Sequence, residues 1–547
     1  MSSNNKRGLW LLVAGFAVLS SLPFLVSHTG VLMLLAFVPL FFLNDFLKRE
    51  GAKHPFLYYY TAFLLFNAAT TFWVGFATVA GAVAAIMLNA LQMAAVFALY
   101  RWASKLFARL CSKRPLEGEL CSLIFFIITW CAWEHVYYDV EITWPWLALG
   151  NSFASSPELV QWYDTVGTTG GTMWILLCNA AVFLALKAEA KRQRIRRAVA
   201  AALLIAVPTC ISIVKYCTYK ESSDPLEIVV AQPNIDPYDK FGVMPQTEID
   251  RKLLGMFESK MTPQTGLLIT PETFTYNIDI DNPANNLSFL TYLDFLEGHP
   301  DTKMLLGALT VRNYTASLKP TESARKGAGG RMWYDVFNTA MVFDHSQLYG
   351  YYFKSKLVPG VERIPYEKYL KPIIAPVFEK FGGGGTSYGT QSDMEPIEMG
   401  DGRKIAGLIC YESVFGDYCS IAAKKGAGLF AVITNDGWWG NTPGHVQHLE
   451  FARLRAIECR RDVVFAANTG RSAIINQRGD ILLKTPYWEE DVFNATVNMN
   501  GRMTAFAKHG DLVGRFAAQA FLILLFSSLI LKLAFALDRK SSRGKSA

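Results

Sequence analysis

KIAGLICYESVF, residues 404–415, opens as a short apolar run and closes on a cysteine with a glutamate two positions beyond it. A run of this length bounded by polar residues reads as a buried strand. Side chains at strand ends of an α/β sheet are the ones that converge from distant parts of a chain. The same pattern recurs on both sides, as LEIVVAQ at 226–232, GLLIT at 266–270, KMLLGALT at 303–310, TAMVFD at 339–344, LFAVITND at 429–436 and VVFAANT at 463–469. Polar helical stretches are expected between them at 247–260, 287–297, 415–425 and 445–460. Residues 218–510 therefore read as one α/β domain of layered sheets. Its glycine-rich stretches, 326–330 and 382–385, lack the strand–helix context of a phosphate cradle and read as loops.

The flanks of this domain are of another kind. Only 18% of the 547 residues are charged and 51% are hydrophobic, whereas an ordinary soluble chain carries about 25% charged residues. Seven apolar runs precede residue 218, with cores near 8–27, 31–47, 57–78, 82–104, 120–138, 170–187 and 197–216, and an eighth lies at 514–536. Each approaches the roughly 20 residues needed to cross a bilayer. The first follows Lys6 and Arg7 and is read as a span that stays, not a cleaved leader. Alternate loops are rich in Lys and Arg, at 48–53, 101–114, 187–197 and 539–545, while 139–169 has four acidic residues and no Lys or Arg. Basic loops stay in the cytoplasm, so both termini are expected inside and 218–510 outside. The expected organisation is 1–217 with seven spans, 218–510 as the outer domain, and 511–547 as the last span with a basic tail.

Three segments within 218–510 carry candidate chemistry: LLITPETF with Glu272, YYFKSKLVPGVERIPY with Lys354, Lys356 and Glu362, and GLICYESVF with Cys410, Tyr411 and Glu412. A thiol forms thioesters once a base removes its proton. An ammonium can hold the oxyanion of the tetrahedral intermediate. Glu272, Lys354 and Cys410 are types that fill those roles, with Glu362 and Glu412 as supports. Of nine cysteines, five lie in or beside apolar runs, Cys111 sits in a basic loop and no C-x-x-C pair occurs, so the cysteines suggest neither a zinc site nor a redox motif. Trp438 and Trp439 suit a membrane interface, an acyl chain or packing on the sheet. His445 and His448, three apart, lack an accompanying metal motif. The net charge of +7 is not gathered into a basic stripe with interleaved aromatics, so no nucleic-acid partner is expected.

The order Glu…Lys…Cys in TPE, FKSKLVP and ICYE resembles the carbon–nitrogen hydrolase (nitrilase) superfamily. With seven runs before the domain and one after, the chain is similar to that superfamily's membrane branch, the apolipoprotein N-acyltransferases. AQPNI at 231–235, WPWLALGNS at 144–152 and the segment 434–475 agree with that family too. The resemblance implies a four-layer α-β-β-α sandwich beside a multi-span helical membrane domain in a bacterial inner membrane. It implies Glu272 as general base, Lys354 as oxyanion lysine, Cys410 as nucleophile, and Glu362 and Glu412 as supporting glutamates. Lys354 is favoured over Lys356 because it stands eight residues before Glu362 and five before Pro359, as in the family pattern. One departure is LVPGVE where the family has LVPFGE. The substrates implied are a membrane phospholipid acyl donor and a diacylglyceryl-modified apolipoprotein acceptor, with no cofactor or metal, on a monomer. Two rival readings are a membrane-anchored amidase of small amides and a transporter with an outer regulatory domain. The latter would lean on ionisable residues near span ends, such as Asp45, Glu134 and His135.

Overall fold

The computed structural model describes residues 3–240, 244–315, 318–327, 330, 332–369 and 387–544. The 382–385 glycines, Ala328, Gly329 and Lys545 lie outside the described residues. Among the described residues seven helices are long and apolar enough to cross a membrane: Lys6–Leu25, Gly30–Arg49, Val79–Leu110, Pro115–Tyr137, Tyr163–Leu186, Lys191–Thr218 and Leu512–Ala534. The run expected as the third of eight spans forms a shorter helix, Pro55–Thr71, of 17 residues. Its end has a local cause. The Thr70 carbonyl accepts from the Trp73 indole (2.9 Å) and the Gln447 amide (3.2 Å), and the chain tightens into i→i+3 bonds at Gly75 and Phe76. The second span is also broken, at Phe37, whose amide donates to Asn179 Oδ1 (2.8 Å) just before Pro39, which has no amide proton to give.

Two sheets follow. In the first, β1 (Pro225–Gln232), β2 (Thr265–Ile269) and β4 (Lys303–Tyr314) run parallel, with β3 (Thr275–Asp279) beside β4. β5 (Arg325–Lys326), β6 (Trp333–Phe343) and β7 (Leu348–Phe353) extend that sheet past β4. In the second sheet β8 (Ile397–Glu398), β9 (Lys404–Ile409), β10 (Leu429–Thr434), β11 (Asp462–Ala467), β12 (Ala473–Ile475) and β13 (Ile481–Lys484) lie side by side in chain order, with β9, β10 and β11 parallel. The last strand, β14 (Asp491–Asn498), returns to the first sheet antiparallel to β1.

The alternation along β1 shows how the layers are stacked. Leu226, Ile228 and Val230 face the interior shared with the second sheet. Val229 and Ala231 face Ile249, Leu253 and Phe257 of helix Gln246–Glu258 and Phe289 and Tyr292 of helix Leu287–Glu297. This is the period-two rule of a strand buried on both faces. The second sheet is covered on its far side by helices Gly416–Lys424 and Pro443–Cys459. The result is α-β-β-α. The sheets meet closely where Gly407 of β9 faces Ala340 of β6, since a Cβ on Gly407 would lie 2.7 Å from the alanine methyl. All seven strands and four helices read from hydrophobic periodicity are present, with ends shifted by a few residues.

The acidic loop after helix Pro115–Tyr137 meets this sandwich directly. Asp139 pairs with Lys356 (3.0 Å), Glu141 with Arg363 (2.7 Å) and Asp164 with Arg460 (2.9 Å). Gln447 adds a buried polar joint. Its Oε1 accepts from the indoles of Trp73 (3.2 Å) and Trp146 (2.7 Å), and its Nε2 donates to the carbonyls of Phe24 (2.9 Å) and Thr70.

Candidate active site

Cys410 stands at the end of β9, where the strand gives way to a 3-10 turn, Cys410–Val414. Its φ is +50°, a left-handed conformation that a non-glycine residue adopts at a cost and often at functional sites. Side-chain bonds hold the turn. Glu412 is fully buried and accepts from the amides of Ile409 (2.9 Å), Ser355 (2.7 Å) and Lys356 (3.2 Å) and from the Tyr352 hydroxyl (2.6 Å). This one carboxylate thus ties the Cys410 turn to the loop after β7. Burial pushes its carboxyl up to about 7, against donors that favour the charged form. Behind Cys410, His448 reaches the cysteine carbonyl with Nε2 (3.1 Å) and Asp436 with Nδ1 (3.0 Å).

Glu272 arrives from the end of β2 and Lys354 from the end of β7. The TPE turn fits under β4 because position 307 is glycine: a Cβ there would lie 2.2 Å from the Pro271 carbonyl. Lys354 Nζ donates to Glu272 Oε1 (3.0 Å) and Glu362 Oε1 (2.9 Å), and its side chain is 1% exposed. Asn338 Nδ2 donates to the same two oxygens, at 2.8 Å and 3.1 Å. Burial works against the ammonium charge, but Glu272 and Glu362 outweigh it and hold the Lys354 pKa well above the ordinary lysine value. The LVPGVE departure does not displace Glu362. Gly360 takes a φ of +89°, the amide of Glu362 closes back on the Val358 carbonyl (3.0 Å), and Glu362 Oε2 accepts from the Val358 amide (2.9 Å).

The Cys410 thiol is raised well above its ordinary pKa, first by burial and then by Glu272, with Lys354 opposing. The resting group is therefore a thiol that needs a base. Alkylation of Cys410 by iodoacetamide in the full-length protein is expected to be slow at pH 7 and still rising above pH 9. A half-maximal rate below pH 7, read from the alkylated peptide, would mean a preformed thiolate.

The other sequence candidates sort by place. Lys356 leaves the cluster: Nζ pairs with Asp139 and donates to the Tyr138 carbonyl (3.3 Å), over the Phe415 ring. Tyr411 is buried and its hydroxyl donates to the Thr143 carbonyl (2.9 Å) of the membrane part. Trp439 packs on Trp73 (centroids 4.7 Å apart) and Trp146 (5.7 Å). Trp438, its half-buried neighbour, lies in the same 3-10 turn, Asp436–Trp439. His445 stacks on Tyr487 (4.0 Å), and burial lowers its pKa to about 4, which keeps it neutral. The donor atoms of Cys410, Asp436 and His448 lie within 4.8 Å of one another, with both His448 nitrogens already in the hydrogen bonds above.

The sequence does not mark Asn338 and Tyr352 as site residues, nor Asp436 and His448, the last of which stands out there only as half of a histidine pair without a metal motif. The first two lie inside strands, where nothing distinguishes them from packing residues. The last two belong to the 434–475 segment, whose resemblance to the family was the available signal.

A carbon–nitrogen hydrolase model matches residues 244–505, and a model of the apolipoprotein N-acyltransferase N-terminal domain matches residues 16–181. An apolipoprotein N-acyltransferase of Chlorobaculum tepidum is 27% identical over 505 residues, 89% of each chain. The chain belongs to the apolipoprotein N-acyltransferase family. Another member, from Pseudomonas syringae pv. tomato, is 26% identical over 85% of this chain and 86% of its own. A solved nitrilase-superfamily protein of Saccharomyces cerevisiae is 15% identical and covers 55% of this chain and 95% of its own, with a TM-score of 0.36. In this N-acyltransferase family member the site lies at the C-terminal ends of β2, β7 and β9, beside the residues that contact the membrane helices.

Proposed function

We propose that the protein transfers an acyl chain from a membrane phospholipid, through a thioester on Cys410, to the amine of a diacylglyceryl-cysteine lipoprotein. The observation that carries this reading is the buried Lys354 ammonium, bracketed by Glu272 and Glu362 and electrostatically coupled to a cysteine on a positive-φ turn. In the first half-reaction Glu272 takes the thiol proton as sulfur attacks the ester carbonyl. Lys354 holds the oxyanion. The C–O bond then breaks and the lysophospholipid leaves with the proton from Glu272. In the second, the lipoprotein amine attacks the thioester and passes a proton to Glu272. The C–S bond breaks, an amide forms and the thiol is restored. Glu362 and Asn338 orient Lys354 and Glu272, while Glu412 holds the nucleophile turn. Tyr411 and Trp439 join the site to the membrane part, through Thr143 and through Trp73 and Trp146, and Trp438 stands half-buried beside them. No step calls for a cofactor.

The protein acts as a monomer in the bacterial inner membrane, with both termini cytoplasmic and residues 218–510 outside. Residues 1–217 form the membrane domain, and 511–547 the final span and its tail. The charge pattern of the loops supports this orientation. A transporter finds little support. Asp45 pairs with Lys48 and Lys187, and His135 with Asp511. Glu134 accepts from Trp130, Thr172 and the Leu149 amide. Each candidate ion-path group is thus committed to a structural bond.

Full-length protein reconstituted with labelled phospholipid and a diacylglyceryl-cysteine peptide is expected to give the N-acylated peptide and lysophospholipid in equal amounts. Hydrolysis of simple amides without acyl transfer would favour the amidase reading instead.

A further inference from the structure

We infer that a second site, separate from the cysteine, holds the phosphate-bearing headgroup of a membrane lipid between helix Lys191–Thr218 and the start of the final helix. An open cavity of about 260 Å³ lies there, and its wall includes Lys215, Arg460, Arg502, Asp164, Tyr219 and Thr504. Three cations and one carboxylate leave a local excess of positive charge. Asp164 answers only part of it, at 2.5 Å from Lys215 and 2.9 Å from Arg460. Arg460 is rigid. It caps helix Pro443–Cys459 with a φ of +52°, donates to Gln161 Oε1 (2.6 Å) and the Gln477 carbonyl (3.1 Å), and lies 4.3 Å from the centroid of the Tyr219 ring. Arg502 is exposed, while its backbone is fixed through Asn500 Oδ1 (2.9 Å) and Arg461 (2.7 Å). The cavity therefore has a preformed cationic floor and one cation ready to close on an anion.

Its place in the chain selects a lipid over a free anion. Lys215 lies in the last turn of one spanning helix, and Arg502 to Ala505 lead into another. These are the two spans with the least buried surface. Below Lys215 the exposed Val207, Ile211 and Val214 form a stripe at helical spacing, and Leu512 and Phe516 stand exposed on the other helix. A headgroup phosphate in the cavity would have acyl chains lying along these surfaces. Basic side chains at such a boundary can take a lipid phosphate in charge-assisted hydrogen bonds. None of Glu272, Lys354, Glu362 or Cys410 lines the cavity, so the site does not depend on the acyl-transfer reading.

Native mass spectrometry of the full-length protein released from nanodiscs tests it. Wild type is expected to retain phosphatidylglycerol over phosphatidylcholine. The double variant Lys215→Gln/Arg502→Gln should lose that retention by about tenfold or more, the loss of at least one charge-assisted bond. The charge-keeping pair Lys215→Arg/Arg502→Lys should keep it, which separates loss of the site from loss of the fold. Undiminished retention in the double Gln variant would overturn the proposal. Displacement of the lipid from wild type by glycerol phosphate would also overturn it, since the site would then recognise a soluble phosphate and not a lipid.

Discussion

Cys410→Ala is expected to insert and fold like wild type and to lose acyl transfer by roughly 10³- to 10⁶-fold, the scale on which enzymes that use a covalent nucleophile respond to its removal. Folding should survive because the turn is held by groups alanine keeps. The Cys410 carbonyl accepts from His448, and Glu412 binds the Ile409 amide. Alanine tolerates the +50° φ no worse than cysteine does. Transfer should not survive, because Lys354 and Glu272 then face no nucleophile. Cys410→Ser is expected to be nearly as inactive: a hydroxyl is far harder to deprotonate than a thiol, and this site already raises the thiol by burial. With labelled phospholipid and no acceptor, wild type should carry one acyl group on the peptide containing Cys410. An acyl group found on Cys410→Ala at the wild-type level would move the nucleophile elsewhere.

Much of the sandwich was legible because strands buried on both faces are nearly continuous apolar runs, as in LFAVIT and VVFAA, and no other element of that length looks the same. What escaped was short or one-sided. β13 alternates half-buried and exposed residues, and β8 is two residues long. The Pro55–Thr71 run was apolar enough to suggest a full span. Its early end is set by Trp73 and Gln447, the second 374 residues away and invisible to any local window. The acidic loop carries a topology signal in its charges, yet three of its carboxylates also dock the sandwich, on Lys356, Arg363 and Arg460. Within the site, the chemistry-bearing types could be named from their segments. The groups that aim them could not, since Asn338 and Tyr352 acquire their roles only when β6 and β7 are brought against Glu272 and Glu412.

Lys354→Met is expected to lower acyl transfer by about 10²- to 10³-fold, the cost of removing one oxyanion donor, while Lys356→Met stays within a fewfold of wild type. The two lysines are two residues apart on one loop, so the contrast tests position and not composition. Lys354 is 1% exposed and shared by two carboxylates. Its loss leaves Glu272 and Glu362 buried together with only Asn338 between them, and breaking such a pair costs about 3–5 kcal/mol. A measured drop in Tm should therefore accompany the activity loss. Glu362→Gln added to Lys354→Met should recover part of the Tm, by removing the second charge, and none of the activity. Lys356 pairs with an Asp139 side chain that is 77% exposed, a contact worth about 1 kcal/mol at most. Its replacement should act on docking of the sandwich, through stability, more than on turnover. If Lys356→Met proved the more damaging to the acylation step in single-turnover labelling of Cys410, the oxyanion role would pass to Lys356, and the buried Lys354 would be reduced to a structural clamp for Glu272 and Glu362.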